Sequence, residues 1–195
     1  MIKKKTGIAI AVLLLATACA MGPLTPDLNA KAPRLDGFGH VGMVVTTKSP
    51  QAQSLFEQGM QQAYAFNAAE AQRAFKAALA QDPECAMCAW GVAWQRGPNI
   101  NDPDRHDLTL ARRYAAYAAS HSAGATPREL ALIAALQLRY AEGTQARDAA
   151  VDNAAVCTPG AGGNNKPADP LDVAYAKALW ALIERFPDDP DLLSF

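Results

Sequence analysis

The sequence predicts an all-α fold of stacked antiparallel helical hairpins, and three observations carry that prediction. Half of the 195 residues are apolar, with alanine supplying much of that share. Alanine is the best helix former and lets helices approach closely. Aromatic residues make up only 7% and β-branched residues are sparse, which argues against a sheet-based core. Helix-start signals also recur along the chain: Ser49-Pro50, Thr126-Pro127-Arg128-Glu129, and Asp-Pro pairs at 82–83, 169–170 and 189–190.

The first element is a targeting segment. Lys3, Lys4 and Lys5 precede a short apolar run from Ile8 to Ala16, too short to span a bilayer and typical of a signal peptide. Leu15-Ala16-Thr17-Ala18-Cys19 is similar to a bacterial lipobox, which assigns residues 1–19 to the leader and Cys19 to lipidation. Cleavage after Ala18 or Ala20 by ordinary signal peptidase is the competing reading. The expected location is therefore the periplasm, with anchoring to the outer membrane through an N-terminal lipid. Residues 20–48 read as an extended tether and entry segment, rich in Pro, Gly, Asn and Lys over its first half.

Residues 49–195 read as the helical domain. After Ser49-Pro50, Leu55, Phe56, Gly59, Met60, Ala63 and Tyr64 recur at helical spacing. A break near Asn67 leads into Ala71, Ala74, Phe75, Ala78 and Leu79, which completes a hairpin of two helices. Asp82-Pro83 is expected to open the helix that holds Cys85 to Gln95. An Ala-rich helix from about Arg105 to Ser122 follows, then one opened by the capping box at Thr126. Asp169-Pro170 opens another through Phe186, and Asp189-Pro190 is expected to start a last one that ends with the chain. Gly97–Pro103 is a longer connection, and residues 143–168 read as a flexible insertion around Gly160–Asn165.

Gly59, Ala71, Phe75, Ala78 and Pro83 stand at the spacing of the tetratricopeptide (TPR) consensus, so the hairpin resembles one TPR repeat. Small residues at 59, 71 and 78 allow close helix approach, and Phe75 fills the groove between them. Gln62 holds the place of a consensus aromatic, and later hairpins match less well. The chain also resembles a family of exported bacterial TPR proteins without an established activity. That resemblance rests on His40, Ser49-Pro50, Asp82–Met87 with Trp90-Gly91, Gly97–Asn101, Thr126–Glu129 and Arg185–Asp189. It implies a TPR-like α-solenoid and, because such arrays normally continue, a truncated member with an exposed apolar C-terminal face.

Few residues are candidates for chemistry. Cys85 and Cys88 form C-x-x-C. Position 89 is Ala, which excludes c-type haem attachment. A redox pair at a helix start would have a lowered thiol pKa, but Asp82 and Glu84 oppose that shift and no βαβ context exists. A metal site would draw on His40, His106 or Cys157, none at ligand spacing. A disulfide between Cys85 and Cys88, or from either to Cys157, suits an oxidising compartment. Trp90 and Trp94, four apart, pack in a core or wall a groove with Asn99 and Asn101. No Ser-His-Asp grouping, phosphate loop or carboxylate dyad stands out.

A net charge of −1 gives no electrostatic basis for binding nucleic acid. The expected function is an exported scaffold for a protein or peptide partner, with no catalysis and no cofactor. The competing class is a metal- or redox-linked periplasmic protein using Cys85 and Cys88.

Overall fold

The computed structural model describes residues 23–98, 107–141 and 170–194. Six α-helices account for most of them: α1 (Pro50–Tyr64), α2 (Ala68–Gln81), α3 (Ala86–Arg96), α4 (Leu108–Ser120), α5 (Pro127–Arg139) and α6 (Pro170–Arg185). A short 3-10 helix covers Leu192–Ser194. No strand occurs among the described residues, so the all-α prediction holds. Each helix packs on the next in sequence, and α3 also touches α1 and α5, which sets the odd-numbered helices in a row.

The local signals explain most helix starts. Ser49 caps α1, its Oγ accepting from the Ala52 N–H at 3.1 Å, with Pro50 in the first turn where a missing N–H costs nothing. Asn67 caps α2. Thr126 and Glu129 form the full capping box of α5, with Pro127 at its start. The α1–α2 turn is tight and contains Phe66 at φ +57°, a left-handed conformation uncommon for a residue with a side chain.

Two expected starts are corrected. Asp82-Pro83 does not open α3. Residues 83 and 84 form a turn, and α3 begins at Ala86 with Cys85 as its cap. The Asp82 carboxylate is instead spent on the chain before α1, as described below. Asp189-Pro190 leads only into the 3-10 turn, with no α-helix among residues 190–194.

The core is centred on Phe75, which is fully buried. A Cβ placed on Gly59 of α1 would come within 2.5 Å of its ring, and one on Gly91 of α3 within 2.6 Å. The ring therefore lies between two glycines on neighbouring helices, and a methyl at either would force repacking. Phe56 tilts against it at 5.4 Å between centroids. Ala71 and Ala78 are fully buried on the same helix as Phe75. Trp90, Leu132 and Leu136 continue the core towards α5.

Candidate functional site

The structure gathers its most specific polar contacts along α1, where residues 33–48 lie as an extended chain. An extended chain without strand partners leaves its backbone N–H and C=O groups unpaired, and burying them unpaired is costly. Here side chains take over the pairing. Gln53 accepts from the Val45 N–H at 2.9 Å and donates to the Met43 carbonyl at 3.0 Å. Gln58 repeats the pattern, accepting from the Leu35 N–H at 3.1 Å and donating to the Pro33 carbonyl at 2.8 Å. Each carboxamide thus holds the C=O of one residue and the N–H of the residue two further on, as a neighbouring strand's peptide would. Between them Glu57 accepts from the Val41 N–H at 3.2 Å, and Gln61 donates to the Gly39 carbonyl at 2.9 Å.

The chain reverses between these two rails. Gly37 and Gly39 have φ of +89° and +78°, conformations that glycine adopts without steric cost. After the reversal, side chains alternate as in a strand. Met43 and Val45 are buried in the core, while Val44 between them is 76% exposed.

Two buried carboxylates finish the attachment. Glu129 accepts from both the N–H and the hydroxyl of Thr46, each at 2.6 Å, while also closing its own capping box on the Thr126 N–H at 2.7 Å. Asp82 accepts from the Thr47 hydroxyl, from the Lys48 N–H at 3.0 Å and from the Glu84 N–H at 3.1 Å. Burial pushes the Asp82 carboxyl up, but these hydrogen bonds outweigh it and leave its pKa below the ordinary carboxylate value. The entry segment therefore joins α1, the α2–α3 turn and the start of α5.

Of the candidate chemical residues singled out from the sequence, His40 lies on this segment and the other described ones fall elsewhere. Cys85 and Cys88 are joined in a disulfide, and both are fully buried in the first turn of α3. The Cys85 sulfur also caps the helix, accepting from the Cys88 N–H at 3.1 Å. His40 pairs with Glu57 on the exposed side of the glycine turn. Trp90 is buried and donates its indole N–H to the Leu132 carbonyl at 3.2 Å, tying α3 to α5. Trp94 stacks on it at 5.4 Å and is only partly covered. Pro83 sits in the α2–α3 turn, where its carbonyl accepts from the Tyr117 hydroxyl at 3.0 Å. Cys19, Asn99, Asn101, His106, Cys157, the leader and the 143–168 insertion lie outside the described residues.

Among the described residues no group of three or more His, Cys, Asp or Glu side chains is gathered as a metal would require. No helix among them is long and apolar enough to cross a membrane. The clamp residues Gln53, Glu57, Gln58 and Gln61 were missed in the sequence. Their one signal is spacing, since Gln53, Glu57 and Gln61 recur every four residues on one polar face of α1.

No protein-family model matches this chain, and no curated protein or solved structure matches it.

Proposed function

We propose that the chain is a TPR-like scaffold that binds a protein or peptide partner as an extended chain across its odd-numbered helices. The observation that carries this is the entry segment itself. The glutamine forks of α1 read backbone groups and not side chains, so they suit any extended chain of matching register. Selectivity would come from the sites filled by Met43 and Val45 and from the carboxylates that receive Thr46 and Thr47. In this arrangement the chain's own segment competes with the partner. The row formed by α1, α3 and α5 and the Phe75 contact with two glycines support a TPR-like solenoid.

A fluorescent peptide with the sequence of residues 38–48 tests this reading. It should bind saturably to a variant with Met43→Ala and Val45→Ala, at least tenfold tighter than to the unchanged chain. Adding Gln53→Ala should weaken that binding. No saturable binding to the loosened variant, with helicity intact by circular dichroism, would contradict the proposal.

Export and lipidation at Cys19 belong to the same proposal, on the strength of the Lys3–Cys19 pattern. Labelled fatty acid should be incorporated and lost in Cys19→Ser. The metal- or redox-linked alternative predicts stoichiometric metal, or thiol exchange under native conditions, abolished by Cys85→Ser with Cys88→Ser. The burial of both sulfurs favours the scaffold.

A further inference from the structure

A second polar feature lies on the α2–α3 side and is separate from the entry segment. Ala69, Gln72, Arg73 and Lys76 form one stripe of α2, at offsets of three, four and seven residues from Ala69. Together with Arg96, the last residue of α3, they line a cleft of about 320 Å³. The Gln72 amide donates to the Gln95 carbonyl at 3.0 Å and so fixes the two walls to each other.

The ordinary role for Arg96 is to complement the negative end of α3. The last carbonyls of α3 nevertheless have hydrogen-bond donors other than Arg96. The Gln95 carbonyl is taken by Gln72, the Arg96 carbonyl by the Asp107 N–H at 3.0 Å, and the Trp94 carbonyl by the Gly97 N–H at 3.4 Å. The Arg96 Nε is buried and has no hydrogen-bond partner. Lys76 is half-buried beside it. Burial lowers the pKa of its ammonium, and the Arg96 charge lowers it further, while Asp27 and Asp107 oppose the change. Both carboxylates therefore offset part of the positive charge of the cleft, while each also holds a backbone N–H. Asp27 accepts from the Asn29 N–H at 2.9 Å, and Asp107 caps α4 through the Leu110 N–H at 2.9 Å. Arg73, at the rim, pairs with Glu70 at 3.3 Å. The cleft is thus lined by Lys76 and Arg96, whose charges repel each other, with Arg73 beside them.

We propose that this cleft binds a multiply charged oxyanion of the phosphate or phosphomonoester type, held by Arg96 and Lys76 with Arg73 closing on it from the rim. Three cationic donors arriving from two helices suit a group with several oxygens and more than one charge. The site does not depend on the extended-chain reading.

The test is thermal unfolding of the full chain at constant ionic strength, with chloride replaced by inorganic phosphate, phosphoserine or acetate. Phosphate at ten times its dissociation constant should raise the midpoint by several degrees. Lys76→Gln and Arg96→Gln should each reduce that shift at least threefold, whereas Lys76→Arg should keep it. A larger shift with phosphoserine than with phosphate would assign the site to a monoester, and the reverse to the free ion. No phosphate shift in the unchanged chain, an equal shift in both Gln variants, or an equal shift with acetate would overturn the proposal.

Discussion

The two ends of the helical row are held together in different ways. Around α1–α3, most demanding groups have a dedicated partner, with Gln62 Nε2 and Arg96 Nε the buried exceptions. Phe75 fits between Gly59 and Gly91, and the backbone of the entry segment is fastened by six hydrogen bonds from α1 side chains and by two buried carboxylates. The α5–α6 pair is looser in this sense. The Tyr175 hydroxyl is buried without a partner, as are Nε and Nη2 of Arg128, although its Nη1 reaches Asp189 at 2.8 Å. Arg139 lies over the Tyr175 ring at 4.8 Å and meets Asp172 at 3.4 Å. The outer face of α6 exposes Val173, Ala176 and Trp180, the last at 65%. Both regions bury large side chains, so the contrast between them lies in polar pairing and not in apolar burial.

The strongest way to break the contrast is Phe75→Ala. It removes the ring that three helices share and should cost about 3–5 kcal/mol in urea unfolding. A loss similar to that of an α6 core change such as Leu179→Ala would show that the two regions are equally dependent on their packing. Next is Glu129→Ala, which strips the acceptor from the Thr46 and Thr126 N–H groups and the Thr46 hydroxyl. Leaving those donors unpaired should cost about 2–4 kcal/mol, read by the same unfolding. Limited proteolysis of that variant should cut first between residues 33 and 48.

Acid titration sharpens the comparison, because the two regions contain carboxylates shifted in opposite directions. Asp82 has a folded pKa below the ordinary value, so its stabilisation is present above about pH 4, the unfolded carboxylate value, and is lost as pH falls through the folded pKa. Asp191 is the reverse. Burial raises its pKa and the Asp189 charge adds to this, against the Tyr64 hydrogen bond and the Arg128 charge, which lower it. Its contribution is most favourable below the unfolded value and is lost as pH rises through the folded pKa. Asp82→Asn should therefore lower stability at pH 7 and flatten the acid limb of the profile. Asp191→Asn should raise stability at pH 7, with the gain fading in acid. The smallest effect is Trp180→Ser, within about 0.5 kcal/mol of the unchanged chain, because the ring is mostly in solvent. Its consequence should be lower self-association in sedimentation at high concentration.

What was legible in the sequence was local. Ser49-Pro50 and Thr126–Glu129 specify helix starts through contacts within three residues, and α1 and α5 begin where these signals place them. The same logic failed at Asp82 because its carboxylate serves residues 34 and 35 positions earlier in the chain, which no local pattern encodes. Glu129 was legible as a capping residue but not as an anchor for Thr46, 83 positions away. No sequence motif singles out the glutamines of α1. Nothing in their spacing announces that an extended chain will lie on them.

Hydrogen exchange of the folded chain, resolved by residue, reads the hold on residues 33–48 amide by amide. If α1, Asp82 and Glu129 hold residues 33–48 as described, the Leu35, Val41, Val45, Thr46 and Lys48 amides should be protected, although they belong to no helix or sheet. Gln53→Ala should release Val45 while leaving the α2 amides slow. Exchange of all five at unfolded-chain rates in the unchanged protein would show that the segment is not held there, and the extended-chain site would fall with it.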